Sequence, residues 1–200
     1  MRSVDAGLIH LVTSRYSEMQ GLVTVALAMF PVILPLGFFI SPNDTFFSWY
    51  CIGCVACFLA SLIWLRPRIF AYYAARFGRV SSGFRYFWPI LIIQALGLNP
   101  ALTLYHLPLL ARGLVIFLML GAWPARVVVR DWPYRGYWVL PFVVACGAAF
   151  PLASASRDVF TTAGWWMAIG VSVAVAGAGD HLLLVRTLRP ALRGEETDHA

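Results

Sequence analysis

The chain has 200 residues, of which 60% are hydrophobic and only 12% are charged, and its mean hydropathy is +0.76. Fifteen basic and nine acidic side chains supply too little polar surface for a soluble domain of this length, so the composition excludes an ordinary soluble protein. The formal charge of +6 comes from arginine alone, and the chain contains no lysine. Because arginines flank membrane spans and face anionic headgroups, we expect the lipid bilayer rather than nucleic acid as the partner of these charges.

The first segment, residues 5–20, is predicted to form an amphipathic helix lying on the membrane surface. Leu8, Val12, Tyr16 and Met19 recur at three- and four-residue spacing, which places them on one face of a helix. The apolar run is too short and too interrupted for a membrane span.

Six longer apolar runs follow, and about 20 helical residues are enough to cross a hydrocarbon core of about 30 Å. The predicted spans are about 22–40, 46–65, 86–105, 107–123, 137–153 and 160–185. Pro31 and Pro35 each remove a backbone donor, so a kink is expected in the first span. The fold class is therefore all-α, a polytopic integral membrane protein in which residues 1–190 form a single domain. The polar residues 191–200 are predicted to be a disordered cytoplasmic tail.

The segment between the second and third spans, residues 66–86, holds five of the fifteen arginines. Ile69, Phe70, Tyr73 and Phe77 line one side of its first half, which predicts a second interfacial amphipathic helix. The arginines of this segment and of the 124–136 loop form a candidate surface for lipid or a partner. Its members are Arg66, Arg68, Arg76, Arg79, Arg126 and Arg130.

The distribution of arginine predicts the orientation. Six spans place the N-terminus, residues 66–86, residues 124–136 and the C-terminus on one side, and these regions hold thirteen of the fifteen arginines. Since cytoplasmic loops carry the excess of basic residues, both termini are expected in the cytoplasm. The expected location is a bacterial cytoplasmic (inner) membrane.

Asp180 and His181, near the inner end of the last span, form the most polar candidate site. A run of small residues precedes them and predicts a face that a neighbouring helix approaches closely. Those small residues are Gly170, Ala174, Gly177, Ala178 and Gly179. Asp180 is therefore expected to face protein, either as a latch paired with Arg66, Arg126 or Arg130, which we favour, or as a proton-relay or substrate site.

Arg112 is the second candidate intramembrane polar site, about 8 Å inside the outer end of the fourth span. An intramembrane charge is a functional hypothesis by default. The structural alternatives, which we favour, are that Arg112 reaches the outer headgroups or pairs with Asp44 or Asp158.

The cysteines and histidines do not predict a metal or a cofactor. Cys51, Cys54 and Cys57 have a C-x2-C-x2-C spacing, but a helix spreads them over about 200° of its circumference and keeps them from converging on one ion. For haem, His106 and His181 are predicted near opposite membrane surfaces, and only His10 with His181 could share one group. We therefore predict no metal and no cofactor.

Three functions remain open. The first is a membrane-embedded subunit of a transport complex, for example the permease half of an ATP-driven exporter with its ATPase on another chain. The alternative is a non-catalytic structural or assembly subunit of a larger membrane complex. The third is a membrane enzyme acting on lipid, which the lack of any known catalytic motif makes the weakest. Other subunits, or further copies of the chain, are the expected protein partners.

Overall fold

The computed structural model describes residues 6–16, 19–40, 44–77, 108–154 and 159–197. These parts of the chain are all-helical and contain no strand. The helices are α1 (Ala6–Ser14), α2 (Gly21–Ala28), α3 (Phe30–Ile40), α4 (Asp44–Phe77), α5 (Leu109–Asp131), a 3₁₀ turn (Gly136–Trp138), α6 (Val139–Ser154) and α7 (Val159–Thr197). The predicted span 86–105, together with Arg79 and His106, lies outside the described residues.

Four of the described helical stretches are long and apolar enough to cross a membrane. They are Ile52–Phe77, Leu109–Asp131, Gly136–Ser154 and Phe160–Leu188. The protein is therefore a helical, membrane-embedded chain, as its composition predicts. The count of six spans and the cytoplasmic location of both termini stay predictions.

The predicted first span is divided into two helices. α2 ends at Ala28 and α3 begins at Phe30, with Met29 between them in a turn. The amide of Val32 bonds the carbonyl of Met29 at 3.1 Å, a tight i to i−3 contact. Pro31 has no N–H to continue the ladder of α2, and the break falls at Met29, two residues before this proline.

The second span does not end at Arg66. α4 continues through Pro67 to Phe77 as one helix of 34 residues, so the predicted interfacial helix is the second half of α4. Burial of Tyr73, which is 1% exposed, stabilises this extension because the side chain reaches the core only if the helix continues.

The predicted 124–136 loop is also largely helical. α5 continues through Pro124 to Asp131, which places Arg126 and Arg130 on a helix rather than in a loop. Val127, buried against Trp138 and Ala176, stabilises this last part of α5.

α7 likewise extends past the predicted limit of residue 185, through Pro190 to Thr197, and includes most of the segment assigned to the disordered tail.

α7 is the central helix of the described bundle. α2 and α3 pack along one side of it and α6 along another, while α5 packs on α6 and α4 contacts α3. This arrangement brings the C-terminal ends of α4 and α5 and the N-terminal end of α6 to the same level as residues 180–184 of α7. The polar groups described below lie at this level.

The two predicted amphipathic stripes are buried against each other. Val12, Tyr16 and Met19 form one core cluster with Tyr73 and Leu184, and three of the six partly buried side chains packed against it belong to the same stripes. These three are Leu8, Ile69 and Phe77. The periodicity therefore identified which positions share an apolar face, and in the structure these faces contact protein. The location of the two helices at the membrane surface stays a prediction.

Candidate functional site

Asp180 is the centre of the most extensive buried polar network among the described residues. Its side chain is fully buried, at 0% exposure, on the face of α7 that meets the turn after α5. Arg135 Nε donates to Asp180 Oδ1 at 2.8 Å, and Arg135 Nη2 donates to Oδ2. This is a two-pronged arginine–carboxylate pair, which is the strongest geometry for such an interaction.

Two aromatic side chains complete the coordination of Asp180. The Tyr137 hydroxyl donates to Oδ1 at 2.5 Å, and the Trp138 indole N–H lies 3.2 Å from both carboxylate oxygens. Both residues belong to the 3₁₀ turn, whose amide of Trp138 bonds the carbonyl of Arg135. The tight turn therefore directs three side chains from four successive residues, those of Arg135, Tyr137 and Trp138, to one carboxylate. We call Asp131, Arg135, Tyr137, Trp138 and Asp180 the Asp180 cluster.

Asp131 binds the remaining edge of Arg135. Arg135 Nη1 donates to Asp131 Oδ2 at 2.8 Å, across an i, i+4 spacing, and both side chains are buried. Asp131 lies in the last turn of α5, where the helix dipole disfavours a negative charge. The guanidinium compensates this unfavourable position and holds the end of α5 against α7.

Arg135 stays positively charged in this environment. Burial lowers the pKa of Arg135, but hydrogen bonding and Coulomb attraction to Asp180, with a further hydrogen bond to Asp131, outweigh burial, and the pKa is raised. The ring of Trp138 also lies under the guanidinium, 5.5 Å from its central carbon. The cluster therefore combines one permanent cation with two carboxylates.

Asp180 faces a different arginine from the ones predicted. We expected Arg66, Arg126 or Arg130, whereas the partner is Arg135. Arg126 and Arg130 are exposed on α5, and Arg66 lies on α4 over the ring of Phe70, 5.4 Å away. The continuation of α5 to Asp131 explains the difference, because it turns Arg126 and Arg130 outward and brings the next turn against α7.

His181 takes part in a second contact, separate from the Asp180 cluster. The Tyr73 hydroxyl lies 2.8 Å from His181 Nδ1 and accepts the backbone N–H of Leu22 at 3.3 Å. The hydroxyl thus connects the backbone of α2 to the imidazole of α7. The Tyr16 hydroxyl donates to the Tyr73 carbonyl at 3.0 Å, which joins the N-terminal segment to the same point. Burial raises the pKa of Tyr16.

The small-residue face of α7 is used by two neighbouring elements. A Cβ at Gly177 would lie 2.9 Å from the Gly21 carbonyl oxygen, and a Cβ at Gly170 would lie 2.8 Å from that of Ala28. These two glycines, seven residues apart, allow α2 to approach the backbone of α7. Gly179 serves another purpose, because its missing Cβ leaves room for the ring of Tyr137.

The remaining candidates are spread over the surface of the bundle. Arg112 is half-buried in the first turn of α5, far from Asp180 along the helices, and its expected partners lie outside the described side chains. On α4, Arg68 lies over Trp64 at 4.5 Å and Arg76 over Tyr72 at 5.7 Å. These contacts are typical of arginines at a lipid or water boundary rather than in a catalytic site.

The cysteine and histidine side chains that the structure describes lie on four different helices, with His181 on α7. Cys54 and Cys57 are on the continuous helix α4, and Cys146 is exposed on α6. His10 is exposed on α1, on the side opposite the buried stripe. Within the described ranges no three His, Cys, Asp or Glu side chains come close enough to hold a metal ion.

Four members of the Asp180 cluster were missed by the sequence analysis. Arg135 was counted only as one of the basic residues of a loop, and Asp131, Tyr137 and Trp138 were given no role. The i, i+4 spacing of Asp131 and Arg135 indicates a contact only where the backbone is helical or nearly so. Because this segment was predicted to be a loop, the spacing was not recognised as a pair.

Comparison of the chain with family models, with curated proteins and with solved structures found no match.

Proposed function

We propose that the protein is a membrane-embedded subunit of a larger membrane complex, in which its own role is structural. The observation that carries this proposal is the Asp180 cluster. Every hydrogen-bonding position of the Asp180 carboxylate meets a donor of the same chain, and the side chain is fully buried. A proton-relay or substrate carboxylate needs access to a proton or a ligand, whereas this geometry suits a fixed link between helices.

The cavities of the described region support the same role. A cleft between α2 and α4 has a volume of about 20 Å³, which is room for about one water molecule. Apolar side chains line it, apart from Arg66. The described helices therefore offer little of the polar lining that a solute pathway requires.

Helix α4 provides surface for association. Only 6% of its most apolar stretch is buried, compared with 39% in the corresponding stretch of α7. Large side chains are exposed along much of its length, among them Trp49, Ile52, Val55, Leu59 and Ile63. A helix held by few contacts within its own chain is available to lipid and to other membrane subunits.

Transport is the second candidate function, as the permease half of a complex whose ATPase is another chain. The observation that favours it is the packed inner end, where α1, the last turns of α4 and α7 share one core cluster. Arg76 and Arg186 are exposed at this end. A rigid, basic surface of this kind is suited to docking a soluble partner and transmitting its motion.

Purification in a mild detergent tests both proposals. We expect additional chains at fixed stoichiometry, and a photo-reactive amino acid at Ile52 on α4 should cross-link to one of them. The same amino acid at Ala176, which is 0% exposed, is the control and should react only within the chain. An ATPase among the attached chains favours transport; a complex without one favours the structural role. A chain that purifies alone and cross-links to no other protein contradicts both.

A further inference from the structure

The last turn of α5 and the turn that follows it present unusually exposed apolar side chains. Val129 is 83% exposed, the highest value for a large hydrophobic residue in the described part of the chain, and Trp132 is 62% exposed. Arg126 and Arg130 are exposed on the same helix end. Residues 126 and 130 are one turn apart, and 129 lies between them on the same side.

This exposure belongs to a fixed part of the structure. The end of α5 is held by Asp131, which binds Arg135, and Arg135 binds Asp180 on α7. The Trp132 ring lies close over Gly136, where a Cβ would be 3.3 Å from its Cζ3 atom. The buried side of the turn therefore positions Trp132 on the outside of the bundle.

Two helices independently give the depth of this turn. From Leu109, the start of α5, to Val129 is 20 residues, or about 30 Å at the helical rise. From Val159, the start of α7, to Asp180 is 21 residues, again about 30 Å. Because the hydrocarbon core is about 30 Å thick, helices that start at one boundary and run these distances bring the turn to the far boundary, where the headgroups begin.

We propose that Trp132, Arg126 and Arg130 form a membrane anchor that binds the headgroup layer, with anionic phospholipid as the ligand. Tryptophan is suited to this depth because its ring is apolar and its indole N–H can reach polar groups. The guanidinium groups can bind lipid phosphates through paired hydrogen bonds. The Asp180 cluster acts as the rigid support that holds the anchor at the boundary.

Depth measurement on the reconstituted full chain tests the location. Trp132→Cys, in a background with all four native cysteines replaced, carries a nitroxide spin label in vesicles containing phosphatidylglycerol. Leu118→Cys on α5, exposed near the middle of the helix, is the matched control. We expect the label at 118 to be reached mainly by oxygen. The label at 132 should lie near the headgroups, with an accessibility to oxygen between the values for the membrane interior and for water.

Lipid selectivity tests the ligand. The protein is extracted from vesicles of equal phosphatidylglycerol and phosphatidylcholine, and the ratio of the two retained lipids is measured. We expect Arg126→Gln and Arg130→Gln each to lower the preference for the anionic lipid about fivefold. Arg126→Lys and Arg130→Lys keep the charge and should retain most of the preference.

Three results would overturn the proposal. A label at 132 that is immobile and reached by neither oxygen nor a water-soluble reagent would show a protein contact at this surface instead. A label with the accessibility of free solution would place the turn away from the membrane. An unchanged lipid ratio in the glutamine variants would remove the arginines from the anchor.

Discussion

Asp180 and His181 are adjacent on α7 and are held from different sides of the helix. Asp180 is bound by Arg135 from the turn between α5 and α6, whereas His181 contacts Tyr73 of α4. The helical step of about 100° per residue allows neighbouring side chains to point to different partners. Two consecutive residues of α7 thus bind α4 on one side and the turn between α5 and α6 on another.

Replacing Asp180 should unfold the protein more easily. Asp180→Asn keeps the size of the side chain but leaves Arg135 with less compensation in a buried site, and we expect a loss of about 3 kcal/mol in the free energy of unfolding. Thermal unfolding in detergent measures the change. Arg186→Gln, on an exposed position of the same helix, is the control and should shift stability by less than about 0.5 kcal/mol. An unchanged melting temperature for Asp180→Asn would refute the structural role.

The close contact of α2 with α7 predicts opposite effects of one substitution at two glycines. Gly177→Ala places a Cβ against the Gly21 carbonyl and should destabilise the protein by about 1–3 kcal/mol. Gly164→Ala, on the same helix but with no atom within 4 Å of the new Cβ, should be neutral or stabilise by up to about 1 kcal/mol. Melting temperatures of the two variants provide the comparison. Equal shifts would mean that α2 does not approach α7 at Gly177.

The Tyr73 hydroxyl is expected to contribute to stability. Tyr73→Phe leaves the Leu22 N–H and His181 Nδ1 without this partner, at a cost of about 1–2 kcal/mol. Tyr72→Phe is the matched control, because the Tyr72 hydroxyl makes only a long exposed contact of 3.4 Å with Arg76. Unfolding of the two variants under the same conditions separates them. A larger effect at Tyr72 would contradict the assigned contacts.

Orientation can be tested with the two ends of α5. Leu110 and Arg130 lie 20 residues apart on one helix and should be on opposite membrane surfaces. From the distribution of arginine we expect a cysteine at 110 to react with an impermeant reagent in intact cells. A cysteine at 130, in the same cysteine-free background, should react only after the membrane is opened. The reverse pattern would invert the predicted topology.

The sequence predicted the faces of the helices better than their neighbours. The spacing of Val12 and Tyr16 indicated one buried stripe, and the structure confirms that both are buried. Periodicity reports only that a face is apolar, so it could not show that Tyr73 covers this stripe in place of lipid. Long-range contacts between α1 and α4 are not encoded in the local pattern of either.

The sequence identified Asp180 as a candidate site because a buried carboxylate needs a positive charge or hydrogen-bond donors beside it. That argument singled out Asp180 and its contact with protein, but the choice of partner depended on where α5 ends. Proline at position 124 suggested a loop, whereas the burial of Val127 continues the helix to Asp131. Packing energy, which a local rule for proline does not include, therefore decided that Arg135 is the partner.

The spacing of the two acidic partners of Arg135 has a consequence for how the chain is made. Asp131 is four residues from Arg135, and Asp180 is forty-five residues further along. During synthesis the arginine therefore emerges beside a carboxylate that is already present, and the local pair can form before α7 leaves the ribosome. When α7 joins the other helices, its own acidic residue can pair with a guanidinium that is already in place. The order of the residues in the chain thus spares both charges an uncompensated passage into lipid.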